Sequence, residues 1–284
     1  MASRGDYVLG THDDELARLG FQHAVWRSFV IDGWRAAGIG AGDSVVDVGA
    51  GPGFATVDLA RIVGPTGRVC AVERSPRYLD ALLEQCRAHG LANVDAHQID
   101  LMTDAIPPAH DRGERADALG GHDAAWCRWV AMFVPSVETL VARIRAALRP
   151  GGRVVFHEYS CYPTYTALPQ RQGITDFVTE AMRSFRAGGG EASIAGTLLA
   201  QLRAQGFALQ HARPIARAAR PGEELWNWPA GFIRTYVPRL RELGQVDDAW
   251  CERVLRDLDA AEADPDSVLV TPTVLEIVAR RDGA

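Results

Sequence analysis

Gly49, Gly51 and Gly53 alternate along a short stretch that joins the apolar run Ser44-Val45-Val46-Asp47-Val48 to a helical pattern from Ala55 to Ile62. Glycines so spaced allow a sharp strand-to-helix turn and present bare backbone N–H groups, and the helix start adds its own unpaired donors. Such a turn suits a nucleoside-bearing ligand. Two carboxylates strengthen that reading. Glu73 ends the next strand-like stretch, Arg68 to Glu73, where an acid can accept from sugar hydroxyls, and Asp100 follows another short one, Val94 to Ile99. A third concentration of chemistry is Phe156-His157-Glu158-Tyr159 at the end of the apolar run from Arg153. Glycine turns without a ligand also exist, but the Asp47 lead-in and the two acids at one-strand intervals favour a site. The dinucleotide fingerprint G-x-G-x-x-G fits less well, because it requires glycine where Phe54 stands.

Elements that alternate strand and helix must position these groups. After the turn, Arg68 to Glu73 reads as a strand and Pro76 to His89 as a helix with Leu79, Leu82, Leu83 and Cys86 on one face. Val94 to Ile99 is a third strand, Thr103 to His122 an extended Pro-, Gly- and Asp-rich connection, and Asp123 to Trp129 a fourth strand. Ser136 caps a helix carrying Val137, Leu140, Val141, Ile144 and Leu148, which Pro150-Gly151-Gly152 ends, and Arg153 to Tyr159 is a fifth strand. Ahead of the turn, a helix starts at Thr11. Ser160 to Gly190 and Pro221 to Asp264 are mainly helical, while Phe207 to Ala212 and Val268 to Arg280 read as two more strands.

Composition removes other chemistries. A net charge of −6 argues against a partner held through nucleic-acid phosphates. All 30 basic side chains are arginine, so a Walker lysine and a pyridoxal Schiff base are absent. The five cysteines lack paired spacing, which suggests neither a disulfide framework nor a zinc site, and no metal is expected. With no leader-like apolar segment at Met1-Ala2-Ser3-Arg4-Gly5-Asp6 and no run of membrane-spanning length, a cytoplasmic protein with no membrane or nucleic-acid partner is expected.

Val46-Asp47-Val48-Gly49-Ala50-Gly51-Pro52-Gly53, then Ala71-Val72-Glu73, Ile99-Asp100 and Leu148-Arg149-Pro150-Gly151-Gly152, resemble in order the motifs of class I S-adenosylmethionine (SAM)-dependent methyltransferases, over roughly 43–159. The resemblance implies an α/β fold, a Rossmann-like, doubly wound, seven-stranded sheet with an antiparallel final strand, here with helical cap insertions. It implies SAM as cofactor, held by Asp47, Gly49, Gly51, Gly53, Glu73, Arg74 and Arg128, with Asp100 and Leu101 at the adenine. Tyr7, before a Glu-x-x-Arg-Leu helix, resembles the N-terminal arm of bacterial small-molecule members and joins that set. Cys127-Arg128-Trp129-Val130 stands where the DNA-amino-methylating branch shows an Asn/Asp-Pro-Pro-Tyr/Phe tetrapeptide, which argues against base methylation.

The expected organisation is an arm (1–42), a SAM-binding core (43–160), cap segments around a strand (161–265) and a closing strand (266–284). The expected activity is methyl transfer to a small organic metabolite, with a homodimer allowed for. Trp129, Tyr159, Trp226, Trp228 and Phe232 are the candidate acceptor contacts, and the caps are expected to act as lids hinged near Gly188-Gly189-Gly190. His157 is the candidate general base, since imidazole titrates near neutrality; along a strand it and Glu158 must face opposite ways. A nicotinamide oxidoreductase and a SAM-binding protein that transfers no methyl remain open, as does the acceptor atom.

Overall fold

A computed structural model describes residues 13–109 and 121–283. Tyr7, Thr11 and part of the Pro- and Asp-rich connection lie outside them. Among the described residues, contacts divide the chain into two units: a sheet unit from 26–109, 121–158, 194–213 and 275–283, and a helical unit from 13–25, 159–193 and 214–274. The division differs from the segments read from sequence. Residues 194–213 go with the sheet unit and 266–274 with the helical one.

The seven-stranded sheet runs, in spatial order, Val94–Gln98, Arg68–Glu73, Ser44–Val48, His122–Arg128, Leu148–Cys161, Thr273–Arg281 and Phe207–Ile215, with an antiparallel final strand. Its parallel centre is β1 (Ser44–Val48), β2 (Arg68–Glu73), β3 (Val94–Gln98), β4 (His122–Arg128) and β5 (Leu148–Cys161). All five residues of β1 are buried, the mark of a strand covered on both faces, and this explains why its valines occupy both faces. β1 adjoins β2 on one side and β4 on the other, so strand order reverses there, which opens the crevice at the carboxyl ends of these strands. The helices α1 (Asp13–Ala36), α2 (Phe54–Val63), α3 (Pro76–Ala88) and α4 (Val137–Ala147) alternate with the strands. Ser75 caps α3 and Ser136 caps α4, each through its side-chain oxygen.

One expectation at α4 is corrected. Pro150-Gly151-Gly152 does not end the helix, which stops at Ala147; Leu148 is already extended and pairs with His122. Register then shifts between His122 and Ala124, so the Pro-Gly-Gly triplet is an irregularity inside the pairing, with Gly151 at φ 75°.

The helical unit holds α5 (Gln172–Ala187), α7 (Asn227–Glu242) and α8 (Asp248–Glu262); α6 (Ala195–Ala204) belongs to the sheet unit. The helical unit also contains a small sheet of order β6-β9-β8, formed by Thr166–Leu168, Val268–Val270 and Ala218–Ala219. The run expected as one strand from Val268 is therefore two, β9 and β10 (Thr273–Arg281), while β7 (Phe207–Ile215) is three residues longer than expected.

Candidate active site

The turn after β1 is built on left-handed backbone: Gly49, Gly51 and Gly53 have φ of 67°, 56° and 88°. Space restricts the first and last as well. A Cβ at Gly53 would lie 2.6 Å from Leu82 Cγ, and one at Gly49 would run into the Val130 side chain. At Gly51 nothing lies within 4 Å of where a Cβ would stand, so the middle of the turn is open for a ligand to approach the backbone.

Glu73 closes one side of the turn. Its Oε2 accepts from Gly51 N at 2.9 Å and its Oε1 from Ser75 N at 2.8 Å. Burial pushes its pKa up, and the backbone N–H groups of Ser75 and Gly51 oppose that shift. Two accepted bonds leave lone pairs on the carboxylate for further donors. Ile99 N donates to Glu73 O, which places Asp100 beside the β2 end; Asp100 Oδ1 caps its own turn at Met102 N (2.9 Å), and Leu101 is buried. Arg74 is exposed. Asp47 lies beneath the turn, buried, accepting from Thr56 Oγ1 at 2.6 Å; burial pushes its pKa up to about 6 against that bond and the charge of Arg128. Arg128 lies over two indoles, its Cζ 5.0 Å from the Trp129 ring centroid and 5.9 Å from that of Trp126. The glycines, Glu73, Asp100, Asp47 and Arg128 thus gather along the carboxyl ends of β1 to β4.

The tip of β5 is arranged differently from expectation. The His157 imidazole is completely buried: its Nε2 lies 3.0 Å from Glu276 Oε2, and its ring meets Trp126 edge-on at 4.9 Å. Gly33 of α1 covers the pair, since a Cβ there would come within 3.3 Å of His157 Nε2. Having no exposed atom, the imidazole does not open into the crevice as a base would have to. Burial lowers its pKa more than Glu276 raises it, and Nε2 is the ring nitrogen that faces the carboxylate. Burial also pushes Glu276 up, but the His157 bond and the Arg213 charge outweigh it and the pKa falls. His211 Nε2 (3.1 Å) and Arg213 complete a cluster around this acid. Glu276 escaped the sequence reading. Its one signal was a carboxylate interrupting the apolar run Val274 to Val278.

Glu158 faces the other way, as strand alternation requires. It too is fully buried, with Oε1 accepting from Val130 N and Ala131 N, both at 2.8 Å, and burial pushes its pKa up to about 8.

The candidate acceptor contacts fall in both units. In the sheet unit, Trp129 is buried and crosses Trp26 edge-on at 5.6 Å. In the helical unit, Trp226 and Trp228 are buried, and Trp228 Nε1 donates to Gln22 Oε1 at 3.0 Å. Phe232 stacks on Tyr236 (5.1 Å), and Tyr159 meets Tyr162 edge-on at 5.0 Å. Among the described residues no group of three His, Cys, Asp or Glu side chains could hold a metal ion, and no helix is long and apolar enough to cross a membrane.

Comparison with known proteins follows the same lines. The family described as methyltransferase domain matches residues 45–152. The ubiquinone/menaquinone biosynthesis C-methyltransferase UbiE of Hahella chejuensis is 28% identical over 162 residues, 55% of this chain and 57% of that protein. The chain spans about half the length of the curated relatives it matches. Among solved structures, a putative methyltransferase from Bacillus halodurans superposes with a TM-score of 0.59 at 15% identity, covering 90% of this chain and 99% of that one. The cyclase SpnF superposes at 0.54 and 17%, covering 90% and 82%. At such identities the two structures speak for the fold alone.

Proposed function

We propose, from the premise that residues 45–152 form a methyltransferase domain of the class I, SAM-dependent type, that this chain transfers the methyl group of SAM to a small organic metabolite and leaves S-adenosylhomocysteine. The observation that carries the reading is the open backbone at Gly51, whose N–H is shared with the Glu73 carboxylate between two glycines that admit no side chain.

The residues fit the cofactor. The 49–53 backbone accommodates close approach of the amino-acid end, Glu73 retains acceptor capacity for ribose hydroxyls, and Asp100 with the Leu101 backbone stands one strand further on for the adenine. When bound, SAM supplies a methyl carbon on a sulfonium, from which a neutral thioether leaves as a nucleophile attacks from the far side. The protein's share is positioning, which can contribute ~7–11 kcal/mol in well-oriented reactions. Asp47 fixes the first turn of α2 through Thr56, and Arg128 adds positive charge beside it.

His157 is not assigned proton removal in this reading, because both its burial and its bond to Glu276 keep it from an acceptor. That supports an acceptor already ionised at working pH or one deprotonated by another group. Calorimetry with SAM, S-adenosylhomocysteine and NADH, followed by a product assay over a panel of methyl acceptors, tests the proposal. Binding of SAM with no S-adenosylhomocysteine formed from any acceptor would favour a SAM-binding protein without methyl transfer, and heat only with NADH would favour an oxidoreductase.

A further inference from the structure

Glu158 is a fully buried carboxyl for which the proposed chemistry has no use. It extends from β5 toward the segment that leaves β4, where the ladder makes one last bond, Trp129 N to His157 O at 3.0 Å, before Trp129 turns into left-handed backbone at φ 52°. Trp129 is the one non-glycine residue with positive φ among the described residues. A left-handed residue followed by a turn aims successive N–H groups into one concavity, an arrangement that accepts an anion or a carboxyl oxygen. Glu158 Oε1 occupies that concavity, bound by Val130 N and Ala131 N, while Phe133 N closes the turn on Val130 O at 3.0 Å. Its Oε2 has no hydrogen-bond partner. The Val130 side chain then fills the space against Gly49 that any Cβ there would need.

We propose that Glu158 is a positioning residue for the glycine turn: by holding the N–H groups of Val130 and Ala131 it keeps the segment after β4 folded so that Val130 backs Gly49. The inference rests on the reading of 49–53 as the cofactor cradle. It makes cofactor affinity depend on a side chain that touches the cradle only through Val130. A carboxyl fits the place because one oxygen can take both N–H groups, and the neutral amide of glutamine offers the same acceptor.

The test pairs site-resolved amide hydrogen exchange with calorimetry on the full chain, using S-adenosylhomocysteine as probe. In Glu158→Ala, exchange of the Val130 and Ala131 amides should accelerate roughly tenfold or more relative to amides of β1 and β4, and the probe should bind roughly tenfold more weakly. Glu158→Gln should restore both to near the wild-type values. Val130→Ala should weaken the probe while leaving both amides protected. Protected amides in Glu158→Ala, unchanged affinity with the amides exposed, or failure of glutamine to rescue would each overturn the proposal. If Glu158→Ala does not fold, Glu158→Gln and Val130→Ala decide: a glutamine variant with both amides protected together with weakened binding in Val130→Ala supports it, and either result reversed overturns it. Absence of probe binding to the wild type would instead remove the methyltransferase reading, while the exchange comparison would still decide whether the clamp exists.

Discussion

The glycine turn at 49–53 and the tip of β5 at 157–158 stand at the same end of the sheet and both hold groups capable of chemistry, yet their surroundings differ. Nothing lies within 4 Å of where a Cβ at Gly51 would stand, and Glu73 accepts from two backbone N–H groups without exhausting its acceptors. His157 and Glu158 are sealed: α1 and Glu276 enclose the first, and the segment after β4 takes the second. Residue type marks both places as chemical. Space and unused hydrogen-bonding capacity separate the open turn from the sealed strand tip.

That contrast is broken most severely by removing the acid at the centre of the sealed region. Glu276→Ala leaves the buried His157 without its partner, while the half-exposed His211 and Arg213 can turn to water, and should cost about 3 kcal/mol of stability in urea titration, the upper end for a buried polar group left unpaired. His157→Ala should also destabilise, while cofactor affinity in the folded fraction stays near wild type. A full loss of binding in that variant with stability intact would place the imidazole in the site after all.

Within the turn the contrast can be sharpened glycine by glycine. Gly53→Ala meets Leu82 as well as left-handed backbone and should cost about 2–4 kcal/mol, whereas Gly51→Ala meets only the backbone penalty of about 1–2 kcal/mol. Equal losses by thermal melting would mean that the openness at Gly51 is not a property of the molecule in solution. Glu73→Ala should reverse the pattern, changing stability little and weakening S-adenosylhomocysteine by roughly 1.5–3 kcal/mol, the worth of a hydrogen bond to a charged group.

The smallest effect is on the pH profile. Glu158, raised from 4.5 to about 8 by burial, binds its proton more tightly folded than unfolded; its contribution is full below 4.5 and is lost as pH rises through about 8. Asp47 behaves likewise up to about 6. His157, lowered by burial, acts in the opposite sense, contributing above its ordinary value and losing that as pH falls through the lowered one. Glu158→Gln should therefore flatten the decline in stability between pH 4.5 and 8. An unchanged slope would show that the carboxyl ionises without cost.

The alternating core could be read from sequence because short strand-like stretches ended by glycine or acid alternate with capped helical patterns: β2 matches the expected Arg68 to Glu73, and α3 starts at Pro76 behind Ser75. The three-stranded sheet could not, because strands of two or three residues such as Ala218–Ala219 are too short to carry a period. The left-handed backbone of the 49–53 turn was legible, since glycine suits it at each of the three positions. The fate of His157 was not. Its partner Glu276 lies 119 positions away on a strand whose neighbour is set by topology, and nothing local to Phe156-His157-Glu158 reports that α1 would cover it. Glu158 was hidden for the same reason, since its donors are backbone N–H groups of Val130 and Ala131, which have no side-chain signature.

The central claim, that 49–53 is an open cofactor cradle, is tested most directly by titrating S-adenosylhomocysteine into the wild type and Gly51→Val in a calorimeter, with melting curves to confirm that both are folded. The account predicts one-site binding to the wild type and none detectable in the folded variant, because a branched side chain would fill the space that no atom now occupies. Full affinity in Gly51→Val would contradict it.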